Sequence, residues 1–156
     1  MSKRFVVTPF VGALPITFCM DGMAVESCLG PPGRKGTTRS GIPQWFYHEN
    51  PRLIVAFSIE TGLVDHLGFA NASSVTYDDI DLFRDPEVLS KLLNKNEAEL
   101  HVGFVIFHDL GLAFDDFHTP EGERTAVVVR PRGGWDHMRG KGKPFGLSDL
   151  KASPSS

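Results

Sequence analysis

Leu100–His118, LHVGFVIFHDLGLAFDDFH, carries the pattern from which the architecture follows. Leu100, Val102, Phe104 and Ile106 alternate with His101, Gly103, Val105 and Phe107. This is the period of two expected of a strand, apolar on both faces in its second half, as inside a sheet. Asp109-Leu110-Gly111 supplies a turn, because Gly111 takes a positive φ at no steric cost. A second strand follows over Leu112–Phe117 and carries two adjacent acids, Asp115 and Asp116. The expectation is a hairpin over 100–117 within an antiparallel sheet.

Outward from this hairpin the same vocabulary repeats. On the N-terminal side, Asp85-Pro86-Glu87 reads as a helix start: a cap, a proline in the first turn and an acid near the positive helix end. Val88, Leu89, Leu92 and Leu93 give that helix its apolar stripe, ending near Asn94-Lys95-Asn96. On the C-terminal side, Arg124–Arg130 (RTAVVVR) is a further strand, and after Gly133 periodicity is lost, with Trp135 and Phe145 as anchors. The first half offers the same order. Asp21 caps a helix with Met23, Val25 and Leu29 at helical spacing, stopped by Gly30-Pro31-Pro32. Strands at 44–48, 53–60 and 63–70 then form a meander, with Glu49-Asn50-Pro51-Arg52 and Thr61-Gly62 as turns. Leu63, Leu67 and Phe69 are expected to share one face. Letters echo between the halves, Phe46-Tyr47-His48-Glu49 and Ala56-Phe57 against Ile106-Phe107-His108-Asp109 and Ala113-Phe114.

The fold class expected is therefore α+β: antiparallel sheet built from two helix–meander units, an internal duplication being one origin, joined as one larger sheet or as two lobes. Short strands at 4–11 and 15–19 precede the first unit. Residues 30–43 (GPPGRKGTTRSGIP) are expected to be an exposed, mobile loop, and Asn71–Arg84 a polar connector. One domain spans 1–150, with sub-lobes near 1–72 and 73–150, and 151–156 fray.

Composition narrows function by exclusion. The chain has 156 residues, is 41% hydrophobic and 22% charged, and has a formal charge of −3, which gives no broad pull toward nucleic acid or acidic lipid. Twelve Phe against two Tyr and two Trp suit a core better than a sugar platform. Cys19 and Cys28 read as two unbridged, buried thiols. No window approaches a transmembrane helix, and Thr8, Pro9, Gly12 and Pro15 break the N-terminal run, so the expectation is a cytoplasmic protein without membrane contact.

No motif anchors catalysis. The glycine-rich 30–43 stretch does not match a phosphate loop, and no nucleophile elbow or catalytic-thiol signature occurs. His108, Asp109, Asp115, Asp116 and His118 crowd the central hairpin, which can bring His108 near Asp115. A metal, however, needs three or four ligands on one face, and alternation sends Asp115 and Asp116 apart. We assign no catalytic residue, metal or cofactor. What remains is charge: acids gather in 78–87 and 109–123, Arg and Lys in 34–39 and 130–143. An acidic face of Asp109, Asp115 and Asp116, with Asp78, Asp79 and Asp81 in support, would suit a basic protein partner.

ITFCMDGMAVESCLGPP resembles the F-G-M-(S/T)-x-x-x-V-x-x-x-L-G-x-P opening of small bacterial α+β proteins, among them BamE-like lobes and many immunity proteins of polymorphic toxin systems. Phe18, Met20, Val25, Leu29, Gly30 and Pro31 match, and Cys19 stands where glycine is usual. FHDLGLAF shares a phrase common in immunity proteins. The resemblance implies a cytoplasmic binder that neutralises a cognate toxin, most plausibly a basic nuclease, through the acidic face; it leaves oligomeric state open. Two alternatives stand beside it: a small metal-dependent hydrolase centred on His108 and His118, and a structural assembly lobe, although the chain lacks the lipobox of the BamE kind.

Overall fold

The computed structural model describes residues 4–48, 52–71, 73–119 and 122–151. Sheet dominates, with helices few and short, consistent with a strand-rich α+β class. Nine strands form the larger sheet: β4 (Arg34–Thr37), β5 (Pro43–Tyr47), β6 (Leu53–Phe57), β7 (Val64–Ala70), β10 (Ala98–His101), β11 (Phe104–Phe107), β12 (Leu112–Asp115), β13 (Ala126–Val129) and β14 (Lys143–Phe145). Their order is β14-β10-β11-β12-β13-β7-β6-β5-β4. Both halves thus share one sheet, sewn by the antiparallel β13–β7 pair, Val127 opposite Phe69 and Val129 opposite Leu67.

Each half runs through one helix and then four strands. α1 (Gly22–Leu29) precedes β4 to β7, and α2 (Val88–Leu93) precedes β10 to β13. The smaller sheet has five strands: β1 (Arg4–Thr8), β2 (Gly12–Leu14), β3 (Ile16–Thr17), β8 (Ser74–Tyr77) and β9 (Ile80–Asp81), in the order β3-β2-β1-β8-β9. Its central pair, β1 with β8, is parallel.

Cross-strand registers explain the core. Tyr47, Leu53, Phe69, Val127, Phe114, Val105 and Leu100 lie in one row across six antiparallel pairings. Val55, Leu67, Val129, Leu112 and Phe107 lie in another. Both rows face one continuous apolar cluster with Phe5 and Val75 of the small sheet, Val25 of α1 and Leu89 of α2. Phe5 and Phe69 rings meet at 4.9 Å, locking the two sheets. The helices are therefore held by this burial rather than by their length, since both are too short to persist alone.

Asp21 caps α1 as its type predicts, its carboxylate accepting from Ala24 N–H at 2.9 Å. Several expectations need correction. Leu100 and Ile106 do not share a strand: Val102 and Gly103, at φ 46° and 83°, form a tight turn between β10 and β11. The turn escaped the pattern because Leu100, Val102, Phe104 and Ile106 keep the alternation running through it. α2 begins at Val88, and Asp85 instead caps the preceding turn by accepting from Glu87 N–H at 2.8 Å.

The 30–43 stretch holds edge strand β4. Its side chains are mostly exposed, but Arg34 lies 4.0 Å from the Phe46 ring centre and Lys35 4.5 Å from that of Trp45, so long stems supply what bulk apolar residues would. The polar connector holds β8 and β9, recruited by pairing to β1. A bulge between Ala56 and Phe57 brings Val64, not Leu63, into the inward face. Cys19 is exposed and is not bridged to Cys28. The expected turn residues Glu49-Asn50-Pro51 and the tail 152–156 lie outside the described residues.

The letter echo holds for Tyr47 and Phe107, which pair at the same place, Tyr47 with Leu53 and Phe107 with Leu112. By that register Ala113 matches Ile54, so the Ala-Phe pair is displaced by two residues. Element order, rather than lettering, carries the correspondence between the halves.

Candidate functional site

The expected acidic residues do not meet at one point but are spread over separate turns and strand ends. Asp109 lies exposed on the β11–β12 turn, whereas Asp115 closes β12 opposite Phe104. Three strand steps from Leu112 to Asp115 put these ends roughly 10 Å apart at ~3.3 Å per residue. The same separation parts His108 from His118, so no centre contains both, and among the described residues no cluster of three His, Cys, Asp or Glu fits a metal. Asp78 and Asp79, at φ 52° and 64°, make the β8–β9 turn. Asp81 is structural: its carboxylate accepts from Phe83 N–H at 3.1 Å and Arg84 N–H at 2.9 Å.

Asp115 and Asp116 do form an acidic end, and it has an apolar tip. Asp116 N–H donates to Gly103 O at 3.1 Å, which draws the β10–β11 turn against the end of β12. Val102 on that turn is 83% exposed. It is β-branched and holds a positive φ, a combination that L residues with branched Cβ avoid. A strained, exposed residue of this kind, set beside carboxylates, is a candidate contact.

Asp116, also at positive φ, is fixed: its carboxylate accepts from Glu123 N–H at 2.8 Å and its carbonyl from Arg124 N–H at 3.1 Å. Arg124 then donates to Phe83 O, Asp85 O and Pro86 O at 3.0, 2.7 and 3.1 Å, clamping this loop to the turn before α2. Asp115 enters no ion pair among the described residues. Burial, then the Asp116 carboxylate, raises its pKa above the ordinary 3.8 against a smaller pull from His118.

At the opposite end, the 131–145 segment folds back over the sheet's outer face. Trp135 covers Ile106 and Ala113, and Arg130 stacks on its indole at 4.6 Å. Glu99, in the same cross-strand row as Ile106, fastens the segment: its two carboxylate oxygens accept from Gly140 N–H at 2.8 Å and Gly142 N–H at 3.0 Å. Those bonds, with His108 nearby, hold its pKa below the ordinary 4.5. His108 Nε2 stands 2.8 Å from Glu99 Oε1, in contact but off the line of an aligned N–H···O bond, so both ring nitrogens lack a hydrogen-bond partner. β14 then completes the sheet beside β10. An open cleft of about 850 Å³ lies between Glu99, His108, Asp109 and the returning residues Arg139, Ser148 and Asp149.

Sequence reasoning missed Val102 and Glu99, whereas Trp135 and Phe145 anchor the 131–145 segment as expected. The Val-Gly dipeptide was the one available signal for the first. Nothing in a linear pattern pairs Glu99 with glycines some forty residues later. Comparison with protein-family models, curated proteins and solved structures finds no match for this chain.

Proposed function

We propose that this chain is an immunity-type protein, acting in the cytoplasm, that neutralises a cognate toxin domain by docking through the Val102–Asp115–Asp116 end of the larger sheet. The observation that carries this reading is Val102: 83% exposed, at a φ of 46° that costs its branched side chain, on a turn bonded through Gly103 O to the Asp115-Asp116 end of β12. An exposed apolar residue beside a pair of acids suits the core-and-rim pattern of protein interfaces. The acids favour a basic partner and fast association, and a basic nuclease fits because carboxylates mimic the charge of its phosphate substrate.

Asp109 faces the other end and is left out of this contact. Asp78 and Asp79, exposed on their own hairpin, form a separate rim. The helix-and-turn residues Phe18, Met20, Val25 and Leu29 that carry the family resemblance pack into or against the core, which supports a shared scaffold rather than a shared site. The repeated order of one helix and four strands is in keeping with descent from a duplicated unit.

The test is co-expression with the reading frame immediately upstream. If that frame encodes a toxic domain and this chain restores growth, Val102→Asp should abolish rescue. Asp115→Lys with Asp116→Lys should slow association and flatten its salt dependence. A neighbouring frame without toxicity, or full rescue by both variants, would overturn the reading.

A further inference from the structure

Between the β11–β12 turn and the 131–139 segment lies a second, smaller cavity of about 190 Å³, contiguous with the large cleft through His108, Asp109 and Arg139. Two of its lining residues are nine-tenths buried and carry unsatisfied nitrogens. The His108 side chain is 8% exposed and Trp135 7%, and neither His108 Nδ1 nor Trp135 Nε1 has a hydrogen-bond partner. A buried polar nitrogen left without a partner is costly. Both residues line the same small cavity.

The chemistry of the lining selects the occupant. The indole N–H and the guanidinium groups of Arg132 and Arg139 donate and cannot accept. Two acids share the wall, Asp109 and Asp136. Asp136 is already opposed by Arg139 at 3.8 Å, and both acids are exposed at the rim, as are Arg132 and Arg139. A cation entering here would meet these donors and gain nothing from them. A dry apolar guest is equally unsuited, because empty cavities stay dry where their walls are apolar and these are not.

We propose that this cavity binds a small oxyanion, a carboxylate or a phosphate group, through Trp135 Nε1, Arg132 and Arg139. The site lies at the opposite end of the β11–β12 hairpin from Val102, so its test is independent of the docking reading.

The chain has two tryptophans, which gives two indole N–H resonances in a ¹H–¹⁵N correlation spectrum, assigned by Trp45→Phe. Inorganic phosphate and, separately, acetate are titrated against chloride at constant ionic strength. The expected result is a saturable shift of the Trp135 resonance with one or both anions, at a dissociation constant of roughly millimolar, and no movement of Trp45. Saturation by phosphate alone assigns a phosphate ligand, and by acetate a carboxylate. Arg132→Ala should weaken the binding about tenfold, with dispersion of the spectrum reporting that the variant is folded. A Trp135 resonance that stays still with both anions, or that shifts equally in Arg132→Ala, would overturn the proposal.

Discussion

Val102 puts a branched side chain where asparagine or glycine is at ease. Val102→Asn should therefore stabilise the fold by about 1 kcal/mol, from relief of the left-handed penalty, while weakening toxin docking. Chemical denaturation reads the first effect, and a variant less stable than the parent would show that the valine is held by packing. Asp115 offers a second test. Its raised pKa means the folded state prefers the protonated carboxyl, so stability is highest below the unfolded value and falls as pH rises through the carboxylate range. Asp115→Asn should raise Tm at about pH 7, with the advantage closing near pH 3.5, below the unfolded carboxylate value of about 3.9. An advantage that grows in acid would contradict the sign. The two differed in legibility: Val102 passed as one more apolar position in an alternating run, whereas Asp115 stood out as an acid on the returning strand without any sign of its burial.

Elements were legible where a local rule and the burial agreed. The α1 cap, β6 and β13 carry both signals, so Asp21, the 53–57 run and the valines of 126–129 lie where the pattern put them. β4 and β8 were not legible, because each owes its strand geometry to a neighbour rather than to its own residues. The 131–145 segment is the extreme case, with hardly any periodicity yet held by Trp135 and by Glu99. Glu99→Ala should cost about 1–2 kcal/mol for two charge-assisted bonds on a partly exposed turn. Because the Glu99 pKa is depressed, its contribution is full above the unfolded value near 4.5 and disappears as pH falls through the lowered range. The gap between parent and variant in urea melts should accordingly shrink in acid, and the Gly140 and Gly142 amides should exchange faster in the variant at neutral pH. Unchanged exchange there would show that the segment is fastened elsewhere.

For the whole molecule, the β13–β7 seam and the β1–β8 pair each join the two halves. Residues 1–72 expressed alone would leave β7 and β1 with open edges and Phe5, Leu67 and Phe69 without their opposite wall. That fragment should fail to give a dispersed spectrum and should associate, while the full chain melts in one transition. A folded, monomeric fragment would show instead that the halves are independent bodies. Sequence conveyed two similar units but not how they join, since the joining strands carry the same Val- and Phe-rich composition as strands that pair within a unit. It also placed the acids along a line, and the hairpin folds that line so that Asp109 and Asp115 part.

The parallel β1–β8 pair has a consequence for synthesis. Arg4 pairs with Ser74, so the first strand leaves the ribosome well before its central partner exists. At about 5–20 residues per second the delay is several seconds. Throughout it Phe5 and Val7 lack the wall that later buries them, with only the β2 turn-back for company. A nascent chain of this design invites a chaperone at its N-terminus, and its yield should depend on translation speed more than its final stability does.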